Sequence, residues 1–135
     1  MTMNIVPYIS AGPIKLGMSR QEVRVLFDVS PSVFLKDQTS SVETDMFDNL
    51  GIFVFYNDEY ICIAIEMTAP SLALFKGINL LSLPFKEVKA FFSDDNNLEI
   101  DASGYTSYLY GIGAYYERKR AAETVIVFEN GYYQL

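Results

Sequence analysis

Gly12-Pro13-Ile14-Lys15-Leu16-Gly17-Met18-Ser19-Arg20-Gln21-Glu22-Val23-Arg24-Val25-Leu26-Phe27 decides how the chain is read, because a degenerate echo of it begins at Gly77. The echo runs Gly77-Ile78-Asn79-Leu80-Leu81-Ser82-Leu83-Pro84-Phe85-Lys86-Glu87-Val88-Lys89-Ala90-Phe91-Phe92. One constant offset (77 − 12 = 65) sets Gly12 against Gly77, Leu16 against Leu81, Glu22 against Glu87, Val23 against Val88 and Phe27 against Phe92. Ser19 fits a helix N-cap whose hydroxyl accepts an otherwise orphan backbone N–H, and Glu22 completes a Ser-x-x-Glu capping box. Met18 and Val23 make a hydrophobic staple across that cap. Val23, Leu26 and Phe27 then share one face, so the spacing predicts a helix over 20–27. In the echo Pro84 replaces Ser19, which still permits a helix start but loses the box. The second helix is expected over 84–92, with Phe85, Val88, Phe91 and Phe92 as its apolar face.

Working outward, residues 5–9 read as a short strand that Pro7 restricts to an edge or an end. Beyond Pro31 the period changes to that of strands, with 32–36, 42–48, 51–56 and 60–67 as candidates and Asn57-Asp58-Glu59 as a hairpin loop. Strict alternation across 61–66 puts Ile61, Ile63 and Ile65 on a helix-facing side, with Cys62, Ala64 and Glu66 opposite. Ala69-Pro70-Ser71 divides the chain into repeats of about 1–69 and 70–135. Strands are expected in the second repeat at 72–76, 98–102, 105–110, 111–116 and 124–129. The expected fold class is α+β: internally duplicated strand-helix-strands units in a single domain, forming one antiparallel sheet with two helices packed on one face. The other face is left uncovered, and an exposed sheet face carrying aromatics is a binding surface.

At 135 residues the chain is long enough to bury a core without disulfides or metal. A hydrophobic fraction of 50% with 15% aromatics supplies that core, and ten Tyr and ten Phe without Trp favour strands. The net charge of −7 repels nucleic acid and anionic membranes and speeds encounter with a basic partner. The lone Cys62 reads as a buried hydrophobe of a reducing compartment. Met1–Pro7 lacks the basic and apolar regions of a secretory leader, so a cytoplasmic location is expected.

The chain has no histidine, which removes Ser-His and Cys-His nucleophile pairs and the commonest zinc ligand. It also lacks phosphate-cradling glycine motifs. Asp95–Asp101 resembles a calcium loop but lacks the glycine at position six and the glutamate at position twelve, so no metal or cofactor is expected. Asp45 with Asp48, and Glu66 with Glu129, are the two carboxylate pairs open to acid–base work, although solvated or partner-facing acids are the commoner case. Tyrosines concentrate in the second repeat. Tyr105, Tyr108, Tyr110 and Tyr115, among Glu117 and Glu129, suit either a core or a protein interface. Asp45, Asp48, Glu66, Tyr105, Tyr108, Tyr110, Tyr115, Glu117 and Glu129 are therefore the candidate partner-binding residues.

The run Leu16-Gly17-Met18-Ser19-Arg20-x-Glu22-Val23 resembles the Gly-Met-Ser-x-x-x-Val helix start of small duplicated bacterial domains. These form the β-lactamase-inhibitor-like and outer-membrane-assembly-lipoprotein-like group. Asn49–Ile52, Ala64–Glu66, Phe75–Leu81, Gly111–Tyr115 and Val127–Tyr133 extend the likeness over nearly the whole chain. Some proteins of this general type serve as immunity partners of contact-dependent growth-inhibition toxins. The resemblance therefore implies a non-enzymatic, cytosolic immunity protein that blocks the active site of a cognate toxin domain, expected to be a basic nuclease. Two alternatives stand beside it: a generic interaction domain, including a weak homodimer through the open sheet, and a carboxylate-based enzyme.

Overall fold

The computed structural model describes residues 1–133. Pro7 ends the first strand, β1 (Thr2–Val6), and the chain turns back through β2 (Ser10–Ala11) and β3 (Ile14–Lys15). Of the two places that Pro7 allows, an edge or an end, it takes the end of β1, which is an inner strand. That strand pairs antiparallel with β2 and parallel with β8 (Leu72–Phe75), Met3 lying opposite Ala73, and β9 (Ile78–Asn79) closes a five-stranded sheet of order β3-β2-β1-β8-β9. Pro7 sits just past the last paired residue, so its missing N–H costs the ladder nothing.

The second sheet has eight strands. The first half of the chain supplies β4 (Ser32–Leu35), β5 (Glu43–Phe47), β6 (Ile52–Tyr56) and β7 (Cys62–Met67). The second half supplies β10 (Glu99–Asp101), β11 (Gly104–Ser107), β12 (Ile112–Tyr115) and β13 (Thr124–Phe128). Every pairing is antiparallel, in the order β10-β11-β12-β13-β7-β6-β5-β4. The two sets of four meet at β7 and β13, where Ile65 faces Val127.

The α+β expectation is overturned: the chain is mostly β, built of two sheets with only short helical segments between them. Helix α1 spans only Arg20–Arg24, and α2 only Val88–Phe91, after short 3₁₀ turns at Leu80–Ser82 and Phe85–Glu87. The capping box at Ser19 and Glu22 forms as its chemistry dictates, with Glu22 N–H donating to Ser19 Oγ at 3.1 Å and Ser19 N–H to Glu22 Oε1 at 3.0 Å. A cap of this kind contributes about 1 kcal/mol. The entry is also stitched to β7: Cys62 N–H donates to Met18 at 2.7 Å and Gly17 N–H to Cys62 at 2.9 Å. The helix then stops at Val25, leaving Leu26 exposed while Phe27 packs on Phe47 with ring centroids 4.6 Å apart. In the echo, Phe85, Val88 and Phe91 recur every third residue, which a 3₁₀ turn satisfies as well as an α-helix does.

One core cluster joins the layers. Met3, Ile5 and Phe75 of the small sheet meet Val23, Leu80, Val88 and Phe92, and these cover Phe47, Ile52, Val54, Ile65, Met67, Ile112, Val125 and Val127 of the large sheet. The expected alternation along β7 breaks at one place. Tyr56 pairs with Cys62 but Phe55 pairs with Ala64, so Ile63 is an extra, bulged residue. The bulge changes the phase, so Cys62, Ile65 and Met67 face the core, while Ala64 and Glu66 face outward. No helix among the described residues is long and apolar enough to cross a membrane.

Candidate binding face

Residues opposite one another in an antiparallel pair share a face, so the register maps the outer side of the large sheet. Glu66 on β7 lies between Ile126 of β13 and Phe53 of β6, and Phe53 lies beside Met46 of β5. All four are half-buried. Phe34 of β4 meets Phe53 edge-on at 6.2 Å. Toward one end of the sheet, Ala64 sits between Phe55 and Phe128. Here Tyr8, Tyr108, Tyr132 and Tyr133 gather around Phe128 with ring centroids between 5.0 and 6.3 Å away. The Tyr8 hydroxyl donates to the Tyr108 carbonyl, and Lys36 lies over Phe55 and donates to the Tyr132 hydroxyl at 3.0 Å. The rings cap that end. The stripe Phe34–Phe53–Glu66–Ile126 is left half-open.

Glu66 is the unusual member of the stripe. Burial among apolar neighbours raises its pKa above the ordinary carboxylate value, partly offset by the Thr124 hydroxyl and by Lys36. A raised carboxylate pKa means the native state holds the proton more tightly than the unfolded chain does. Stability therefore falls as pH rises from the ordinary value through the raised one, and the penalty is fully present above it. Glu66→Gln keeps the shape without the charge. Its melting temperature is expected to exceed the wild type's at pH 7 and to converge with it below about pH 4. Thermal melts of both chains across that range check this. A constant offset at every pH overturns it.

The other candidate residues do not assemble around Glu66. Asp45 is on the core side, fully buried, and accepts hydrogen bonds from Arg24 Nε at 2.9 Å, Arg24 Nη2 at 2.7 Å and the Tyr56 hydroxyl at 2.9 Å. Arg20 reaches the same carboxylate at 3.5 Å and also bridges Glu43. Asp45 therefore has no open valence for a partner, and Asp48, on an exposed turn, does not converge with it. Tyr105 is a core residue between Phe92 and Tyr116, with its buried hydroxyl unpartnered. Tyr110 packs on Phe75 and bonds Asp94 and Lys76, tying β8 to the loop before β10. Tyr108 and Tyr115 are exposed, Tyr115 on the outer face opposite Thr124. Glu117 and Glu129 are exposed, and Glu129 lies beside Ile63, three residues along from the Glu66 pairing.

Nucleophile and metal chemistry find little here. Cys62 is buried, and desolvation pushes its thiol up to about 12, which keeps it protonated at neutral pH. Asp95, from the calcium-like loop, accepts the Ser107 hydroxyl at 2.7 Å and the Asn97 N–H at 3.0 Å, a structural role. Among the described residues no group of three or more His, Cys, Asp or Glu side chains is placed to hold a metal ion.

Sequence reasoning passed over Phe34, Met46, Phe53 and Ile126. The signal was present, because Ile52-Phe53-Val54-Phe55-Tyr56 and Val125-Ile126-Val127-Phe128 are apolar on both phases of the strand period. Such a strand is covered on both faces or waits to be. No protein-family model, curated protein or solved structure matches the chain.

Proposed function

We propose that this chain is a cytoplasmic, non-enzymatic binding protein whose outer sheet face docks a basic protein domain, and that this partner is a toxin domain it neutralises by covering the active site. The observation that carries the reading is Glu66, a carboxylate held against its desolvation penalty in a half-open apolar stripe. A carboxylate in that position gains most from a partner's Arg or Lys, which converts a buried charge into a pair. The net charge of −7 supports the same polarity, because it steers a basic domain toward the chain. Phe53 and Ile126 supply the apolar surround that excludes water from such a pair.

The test is titration against each basic domain encoded by the genes adjoining this one. Binding is expected at nanomolar concentration or tighter, weakening with salt mainly through slower association. Glu66→Gln, which keeps the shape and is expected to melt no lower than the wild type at pH 7, is expected to weaken it by about 2–5 kcal/mol. Wild type and Glu66→Gln binding alike, or neither binding, overturns the assignment.

A further inference from the structure

The open edge of the large sheet carries a second surface, which meets the outer stripe at Phe34. Among the described residues β4 pairs with β5 on one side only, and all four of its own residues, Ser32-Val33-Phe34-Leu35, are exposed. An uncovered edge presents a row of unpaired backbone N–H and C=O groups. The opposite edge, β10, is guarded: Ile100 stands between Glu99 and Asp101, whose charges oppose an incoming strand. β4 has no charge of its own. Around it the chain exposes Val25, Leu26, Val29, Val33, Phe34 and Leu35, six of the sixteen exposed large hydrophobics among the described residues within eleven positions. That concentration makes a patch rather than scatter.

We infer that β4 pairs antiparallel with β4 of a second copy of this chain, across a two-fold axis at Phe34. The register follows from side-chain direction. Opposed residues must share a face, and on β4 Phe34 shares the outer face with Thr44 while Val33 shares the core side with Asp45. A two-fold falling between residues sets core-side against outer-side positions and is excluded. A two-fold at Val33 brings Pro31, which has no N–H, into the ladder. With the axis at Phe34, each Phe34 meets its mate, each Val33 meets a Leu35, and Lys36 falls opposite Ser32 of the copy. No like charges face each other across the seam.

A neutral, self-complementary edge fits a second copy better than the basic partner proposed for the Glu66 face. A four-residue ladder with a flanking patch lies at the small end of specific interfaces, so the dimer forms at micromolar concentration. Two chains of charge −7 repel, so salt tightens this contact. The toxin complex responds to salt in the opposite sense. Failure of one contact leaves the other standing.

Sedimentation equilibrium of the intact chain, from low to high micromolar concentration and at two salt levels, tests the proposal. A monomer–dimer equilibrium that tightens with salt is expected. Ser32 is exposed, so its substitution leaves the fold intact. Ser32→Glu faces Lys36 of the copy twice and is expected to tighten the dimer about three- to tenfold, while Ser32→Lys loosens it by a similar factor. A chain that stays monomeric at high micromolar concentration overturns the proposal. A dimer indifferent to both Ser32 substitutions overturns it equally.

Discussion

Replacing Asp45 by Ala is expected to remove about 3–5 kcal/mol of folding free energy, read as a shift of the urea midpoint. Asp45 is fully buried and satisfies two donors of Arg24 and the Tyr56 hydroxyl at once. Truncation strands the buried Tyr56 hydroxyl and leaves the Arg24 guanidinium, about a third of whose side chain is exposed, only partly compensated by water. A small domain has only about 5–15 kcal/mol in hand, so this single change brings the chain close to unfolding. A loss under about 1 kcal/mol, the range of exposed ion pairs, overturns the assignment. The result bears on function as well. Asp45 is a reasonable partner-binding acid on paper, and any binding lost in Asp45→Ala reports loss of the fold, not of a contact.

Gly51→Ala is expected to cost about 2–4 kcal/mol by thermal or urea denaturation. Gly51 has φ +70°, and a Cβ there lies 2.3 Å from the Thr68 carbonyl oxygen and 2.9 Å from that of Ala69. Those atoms are backbone and cannot swing aside. Thr68 N–H also donates to the Gly51 carbonyl at 2.9 Å, so the two segments are clamped together. Gly77→Ala is the control, since Gly77 has φ +77° with open space around it. It bears only the left-handed strain of about 1–2 kcal/mol. Equal costs at the two positions mean that the close approach contributes nothing.

The binding face and the edge ask different things of the same sheet. Glu66 sits at mid-sheet on β7, where a cationic partner group would relieve a carboxylate already penalised by burial. The β4 edge offers backbone hydrogen bonds and apolar side chains without charge. On the two proposals one contact weakens with salt and the other strengthens, so the two are separable in solution.

Local chemistry was readable residue by residue. Ser19 and Glu22 specify their capping box within four residues, and the positions flanking Asn57-Asp58-Glu59 specify a hairpin for the same reason: donors and acceptors lie close in sequence. The strands of the large sheet were legible because β-branched and aromatic residues alternate over five or six positions. Tertiary placement decided the rest. Phe85, Val88 and Phe91 are compatible with both helix types, and the segment folds as a 3₁₀ turn followed by a single α turn. The bulge at Ile63 is invisible to a period-2 reading, since one extra residue reverses the phase of the side chains before it, and it is this shift that turns Cys62 into the core beside Ile65 where strict alternation set it opposite. Asp45 and Glu66 are both acids in strands of similar pattern. Only the three-dimensional pairing sends one to Arg24 in the core and the other to an open face, because the cost of burying a charge depends on which donors the fold brings within reach.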